Sequence, residues 1–242
     1  MIEITPLGDA ALTVRFAKSA RKSPSDLLLD VLGAKRAIDR ASIPGVLGTA
    51  SSYSTLAIFL DLPALVGGSR HPENVFEQIS AEIREVLGRL NLKSHSKARR
   101  GRIEIPVCFD TTFALDLADV ANERGLTAEI LIKKFCAADY QVACIGFMPG
   151  FPYLIGLPAE LATPRRETPR VSVPAGSVAI GNHQAGIYPI ESPGGWNIIG
   201  RTPLRMFDVN REDASLLSAG DRVRFRAISL DEFHEMRSRA VL

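Results

Sequence analysis

Between Gly146 and Pro203, a window of about a quarter of the 242 residues, lie 9 of the chain's 19 glycines and 9 of its 15 prolines. Each proline fixes φ and removes a backbone donor, so a long helix is excluded here. What fits between the punctuation are short β-prone pieces, "VSV", "SVAIG", "IYPI" and "NII". Their spacing is that of a barrel or sandwich with many tight turns. Asp221 to Ala227 finishes the pattern, with Val223 and Phe225 on one face and Arg222, Arg224 and Arg226 on the other.

The first ninety residues read differently. Leu12, Val14 and Phe16 alternate with polar or small neighbours, as a half-buried strand requires. Ser23 can cap a helix with Pro24 in its first turn, and Leu28, Val31, Leu32 and Ile38 recur at helical spacing. "TLAIFLD" reads as a buried strand, and Pro72 is expected to open a second helix with a stripe from Val75 to Leu90. Residues 93–102, "KSHSKARRGR", have the composition of an exposed linker. Beyond it, Ile103, Ile105, Val107 and Phe109 alternate as a strand, with Pro106 suggesting an edge or bulge. Short helices follow at 116–124 and at 128–138, the second capped by Thr127, and "YQVACIGF" is a further strand. The expected fold is an α+β N-terminal domain, residues 1–92, followed by a mainly-β barrel or sandwich domain, residues 103–242.

Composition narrows the function. With 46% hydrophobic and 23% charged residues and a formal charge of +2, the chain is globular and carries no field suited to nucleic acid. It has no apolar run of about 18 residues, so no membrane span is expected, and its start does not read as a signal peptide. Three cysteines, Cys108, Cys136 and Cys144, form an odd set suited to a reducing compartment, which points to the cytoplasm.

Three blocks of the second half carry candidate site residues. "GFMPGFPYL", residues 146–154, is a loop with few accessible conformations, and its Phe147, Phe151 and Tyr153 either wall a pocket or plug a barrel end. In "TPRRETPR" the guanidinium groups of Arg165, Arg166 and Arg170 are suited to a carboxylate or phosphate; the alternative is a solvated arginine or an internal pair with Glu167 or Glu191. "GNHQAGIYPIESPGGWNIIGRTP" supplies Gln184, Tyr188, Ser192, Trp196, Asn197 and Arg201, a polar set beside the chain's single Trp. The candidate binding set is therefore Phe151, Tyr153, Arg166, Arg170, Gln184, Tyr188, Ser192, Trp196 and Arg201. No residue is assigned a catalytic role. The chain has no G-x-x-x-x-G-K-[ST] phosphate cradle and no G-x-S-x-G elbow, and His71, His95, His183 and His234 show no metal-ligand spacing, so no metal is expected.

The order of "GFMPGFPYLIGLP", "TPRRETPR", "VPAGSVAIG", "GIYPIESPGGW" and "IGRTPLRMFD", with "PLGDAALTVRF" and "SSYSTLAIFLD" upstream, resembles the KipI/PxpB family, also known as allophanate hydrolase subunit 1. The resemblance implies that the second domain is a cyclophilin-like β-barrel. It implies a subunit of an ATP-dependent 5-oxoprolinase, converting 5-oxo-L-proline to L-glutamate with a C-type (PxpC/KipA-like) partner and an A-type subunit. ATP would be used by the complex, and the barrel would bind a small anionic amide: Arg166 or Arg170 on its carboxylate, Gln184 and Tyr188 on its amide. The alternatives it implies are an inhibitor of a sensor histidine kinase and a subunit of a urea carboxylase or allophanate hydrolase system. The chain departs from the family pattern at Phe135, where a histidine is expected, and at Ile155 and Asp110-Thr111, where glycines are expected.

Overall fold

The computed structural model describes residues 2–17, 22–67, 74–90 and 101–239. The chain divides into two compact units, Met1–Lys97 and Ala98–Leu242. Most of the expected linker, and Pro72, lie outside the described residues.

In the first unit the elements are β1 (Ile2–Pro6), β2 (Ala11–Phe16), α1 (Pro24–Ala41), β3 (Val46–Ser52), β4 (Thr55–Leu60), α2 (Leu62–Gly67) and α3 (Val75–Gly88). The strands form one antiparallel sheet in the order β1-β2-β4-β3. Helix α1 starts where the sequence requires it. The Ser23 hydroxyl accepts from Asp26 N at 3.1 Å, the Asp26 carboxylate accepts from Ser23 N at 3.1 Å, and Pro24 sits at the start, a complete capping box. Val31 and Ile38 of α1 and Ile79 and Ile83 of α3 then pack in one core with Leu12, Val14, Leu56 and Ile58 of the sheet. Strand β4 is half-buried rather than buried as expected: Leu56, Ile58 and Leu60 point inward and Phe59 is 44% exposed, because helices cover one face of the sheet's residues and leave the other to solvent.

The second unit runs β5 (Ile103–Cys108), α4 (Leu117–Glu123), α5 (Ala128–Ala137), β6 (Tyr140–Ile145), β7 (Pro152–Ile155), β8 (Arg170–Val173), β9 (Ser177–Gly181), β10 (Gln184–Ile187), β11 (Ser192–Gly194), β12 (Asn197–Arg201), β13 (Arg222–Ile228) and α6 (Leu230–Arg239). Seven strands close a barrel in the order β10-β7-β6-β13-β5-β12-β9, and β8 and β11 pair as a separate ribbon. Pro106 is not at an edge. It is buried in β5, opposite Arg226 of the parallel strand β13, and β12 meets β5 only at Arg201 and Cys108, so little ladder on that flank is lost with the missing N–H.

The barrel core includes Ile105, Val107, Val142, Leu154, Val178, Ile180, Ile187, Ile199 and Val223. Phe135 of α5 caps it by stacking on Phe225 at 4.7 Å, and the Tyr140 hydroxyl donates to Phe135 O at 3.0 Å. No helix among the described residues is long and apolar enough to cross a membrane.

Replacing Ser23 by Ala removes one half of the capping box and is expected to cost about 1 kcal/mol. Denaturant unfolding followed by circular dichroism checks this, with an earlier loss of helix signal and an unchanged transition slope as the expected result.

Candidate functional site

The site is organised around a carboxylate. Asp116, which precedes α4, is 1% exposed and makes no side-chain bond to its own helix. Its Oδ1 accepts from Arg166 Nη1 at 2.8 Å and from Arg170 Nη2 at 2.7 Å; its Oδ2 accepts from Arg170 Nη1 at 2.8 Å and from Ile198 N at 2.7 Å. Asp116 N also donates to Ile198 O at 2.8 Å, which fixes α4 against β12. Backbone bonds extend the clasp: Arg166 N donates to Gly195 O at 2.8 Å, and Asn197 Nδ2 donates to Pro164 O at 2.7 Å. Two guanidinium groups against one carboxylate leave one positive charge uncompensated.

Beside this clasp the rings gather. Trp196 packs edge-on to Phe151 at 5.7 Å and to Tyr153 at 5.8 Å, and Phe151 meets Tyr188 at 5.2 Å and Phe147 at 5.7 Å. Glycines make the seats. A Cβ at Gly181 would lie 2.6 Å from the Trp196 indole, and one at Gly194 would collide with the Tyr188 hydroxyl. Tyr188 is 2% exposed and its hydroxyl hydrogen-bonds the Trp196 backbone; burial pushes its pKa up, as it does for the half-buried Tyr153. Phe147 is 66% exposed and held at φ 68°, in the left-handed region that costs a bulky residue strain. The Arg165 guanidinium lies 5.5 Å from the Trp196 ring centroid.

The structure thus brings Phe151, Tyr153, Tyr188 and Trp196 into one cluster, flanked by Arg166 and Arg170. The donors of those two arginines face Asp116, an internal partner that the sequence pattern does not reveal. Gln184 is half-buried and opens β10 opposite Gly181, while Ser192 on β11 pairs with Val173 and has a buried hydroxyl with no hydrogen-bond partner among the described residues. Arg201 belongs elsewhere. It lines a separate cavity of about 490 Å³ together with Phe207 and Arg237. Asp116 escapes sequence reasoning because a lone acid at a helix start reads as a cap; Arg165 is among the three candidate arginines of the sequence but not in the binding set, because its place depends on a ring 31 positions along the chain.

Among the described residues, no group of three or more His, Cys, Asp or Glu is placed to hold a metal. Cys108 and Cys144 are buried, and burial pushes the Cys136 thiol up to about 11, so it is protonated at neutral pH.

Residues 2–217 match the family described as carboxyltransferase domain, subdomain C and D. The B-type 5-oxoprolinase subunit of Bacillus subtilis is 35% identical over 96% of this chain and 95% of its own length. The chain belongs to this family. Among solved structures, the protein TTHA0988 is 33% identical with a TM-score of 0.70; the match covers 95% of this chain and 40% of that one, so this chain spans less than half of that relative. Urea carboxylase of Kluyveromyces lactis shares the fold at 16% identity and a TM-score of 0.66, over 97% of this chain and 22% of that one.

In this carboxyltransferase-family chain Phe135, Ile155 and Asp110 have plain structural roles. Phe135 is fully buried in the barrel core. Ile155 pairs with Gln141 in the β6–β7 ladder, and Asp110 turns the chain by accepting from Thr112 N at 2.9 Å.

Asp116→Asn removes the charge that both arginines share and is expected to destabilise the barrel unit by about 3 kcal/mol, read as a lower urea midpoint. Gly181→Ala forces the indole from its seat, at a cost of about 1–3 kcal/mol. Since Trp196 is the only tryptophan, a red shift of intrinsic fluorescence reports that displacement directly.

Proposed function

We propose that this chain is the B-type component of an ATP-dependent 5-oxoprolinase. The observation that carries the reading is its match to the B-type 5-oxoprolinase subunit of Bacillus subtilis along nearly the whole of both chains. In this reading a C-type and an A-type subunit complete the enzyme, the complex consumes ATP, and its substrate is 5-oxo-L-proline, a small anionic amide. The two compact units act as separate domains joined through residues 93–102, the second a cyclophilin-like barrel, and the protein works in the cytoplasm.

The geometry supports a binding role for the cluster. Arg165 has its guanidinium over the indole, near Tyr153 and Tyr188, and its positive charge suits the substrate carboxylate. Arg166 and Arg170 add their surplus charge to the field while Asp116 holds them still. Tyr153 and the exposed Phe147 offer a wall for the apolar edge of the ring, and Gln184 an amide partner. ATP supplies the driving energy for opening the amide when the complex binds it; this chain's residues bind and orient the substrate.

The test is turnover of 5-oxoproline with ATP by this chain alone, by its partner subunits alone and by the mixture. Only the mixture should be active, and full activity without this chain would reject the proposal. In the mixture, Arg165→Gln is expected to raise KM for 5-oxoproline about tenfold with little change in kcat, and to leave the unfolding midpoint in place.

A further inference from the structure

The cavity that holds Arg201 shares no residue with the Trp196 cluster, and the function proposed above makes no use of it. Its walls come from the 175–176 turn, the Pro189-Ile190 step, the segment 201–210 and Arg237 of α6. Three arginines line it, but their situations differ. Arg205 is neutralised: its Nη1 donates to Asp208 Oδ2 at 3.0 Å. Asp208 accepts from Asn210 N at 3.0 Å, and that bond, ahead of Arg205 itself, holds its carboxyl below the usual range. The carboxylate is therefore charged and already paired with Arg205.

Arg201 is held in place without being neutralised. Its Nε donates to Ala175 O at 2.8 Å and its guanidinium lies 5.5 Å from the Phe113 ring centroid. Neither Nη makes a hydrogen bond to another described residue. The Arg237 side chain makes no hydrogen bond or ion pair among the described residues. The two cations act on each other: burial first, then the charge of Arg237, lower the pKa of Arg201, against a weaker opposing influence from Glu191, whose Oε1 accepts from Ser172 Oγ. Two unneutralised guanidinium groups on one concave wall are unfavourable for the empty protein, and an anion between them relieves that repulsion. The remaining wall is largely apolar, with Pro189, Ile190, Leu204, Phe207 and Val209, and the volume of about 490 Å³ is that of a small-molecule site.

We propose that this cavity binds a phosphate monoester with an apolar body, its dianionic head between Arg201 and Arg237 and its body against Phe207 and Ile190. A phosphate suits the site because two adjacent positive charges call for two negative charges on one compact group. The proposal concerns this chain alone and does not depend on the oxoprolinase reading.

Isothermal titration of the full chain with phenyl phosphate, inorganic phosphate and benzoate tests it. Phenyl phosphate should bind saturably, at least several-fold tighter than either of the others, and weaken as salt is added. Arg237→Ala should reduce its affinity about tenfold or more, Arg237→Lys less, and neither should move the unfolding midpoint. Arg201→Gln, a second variant, should weaken it similarly. Absence of saturable binding, or equal affinity in Arg237→Ala and the parent chain, would overturn the site. Equal binding of benzoate would overturn the dianion assignment, and equal binding of inorganic phosphate the role of the apolar wall.

Discussion

A buried carboxylate with no partner is among the costliest things a fold can contain, and one with four donors is among the most directive. Asp116 is the second kind. It receives two arginines from the proline-bounded arm at 164–170 and one N–H from β12, so a helix start, an irregular arm and a barrel strand are fixed at one point. The ring cluster depends on that point. Trp196 begins the turn into β12, and the arm that carries Arg165 over its indole is the arm the carboxylate anchors. The aromatic face is supported by ionic as well as apolar contacts.

Much of the architecture can be read from residue patterns because its causes are local. Ser23 and Pro24 specify the start of α1 within a single turn, and the alternation at Leu12, Val14 and Phe16 marks a strand with one wet face. Other elements lack such a signal. Strand β3, "VLGTASS", is mostly small or polar and carries no hydrophobic period, and α6 buries only Phe233, so neither stands out in the sequence. The site is legible in kind but not in arrangement. Arginine-rich and ring-rich segments announce themselves, yet their partner lies 50 positions or more upstream at Asp116 and is fixed by closure of the barrel rather than by spacing.

The candidate set also divides in space. Arg201 and Trp196 lie only five positions apart and on or beside the same strand, but Arg201 lines the cavity while Trp196 packs in the ring cluster. A strand that spans the barrel carries residues to both of its ends, so nearness in sequence says little about which end a side chain reaches. Composition-based grouping of site residues fails at such a strand, and backbone register recovers the division.

Strand β5, which opens the second unit, lies beside β13, which nearly ends it, in a parallel register running from Ile103 and Val223 to Cys108 and Ile228. During synthesis the first of these strands leaves the ribosome more than a hundred residues before its neighbour exists. The nascent barrel must wait with an open seam, exposing Ile105 and Val142 surfaces that are fully hidden in the finished molecule. Strand β13 thus acts as the latch of the unit, and a chain cut short before it could not close the barrel.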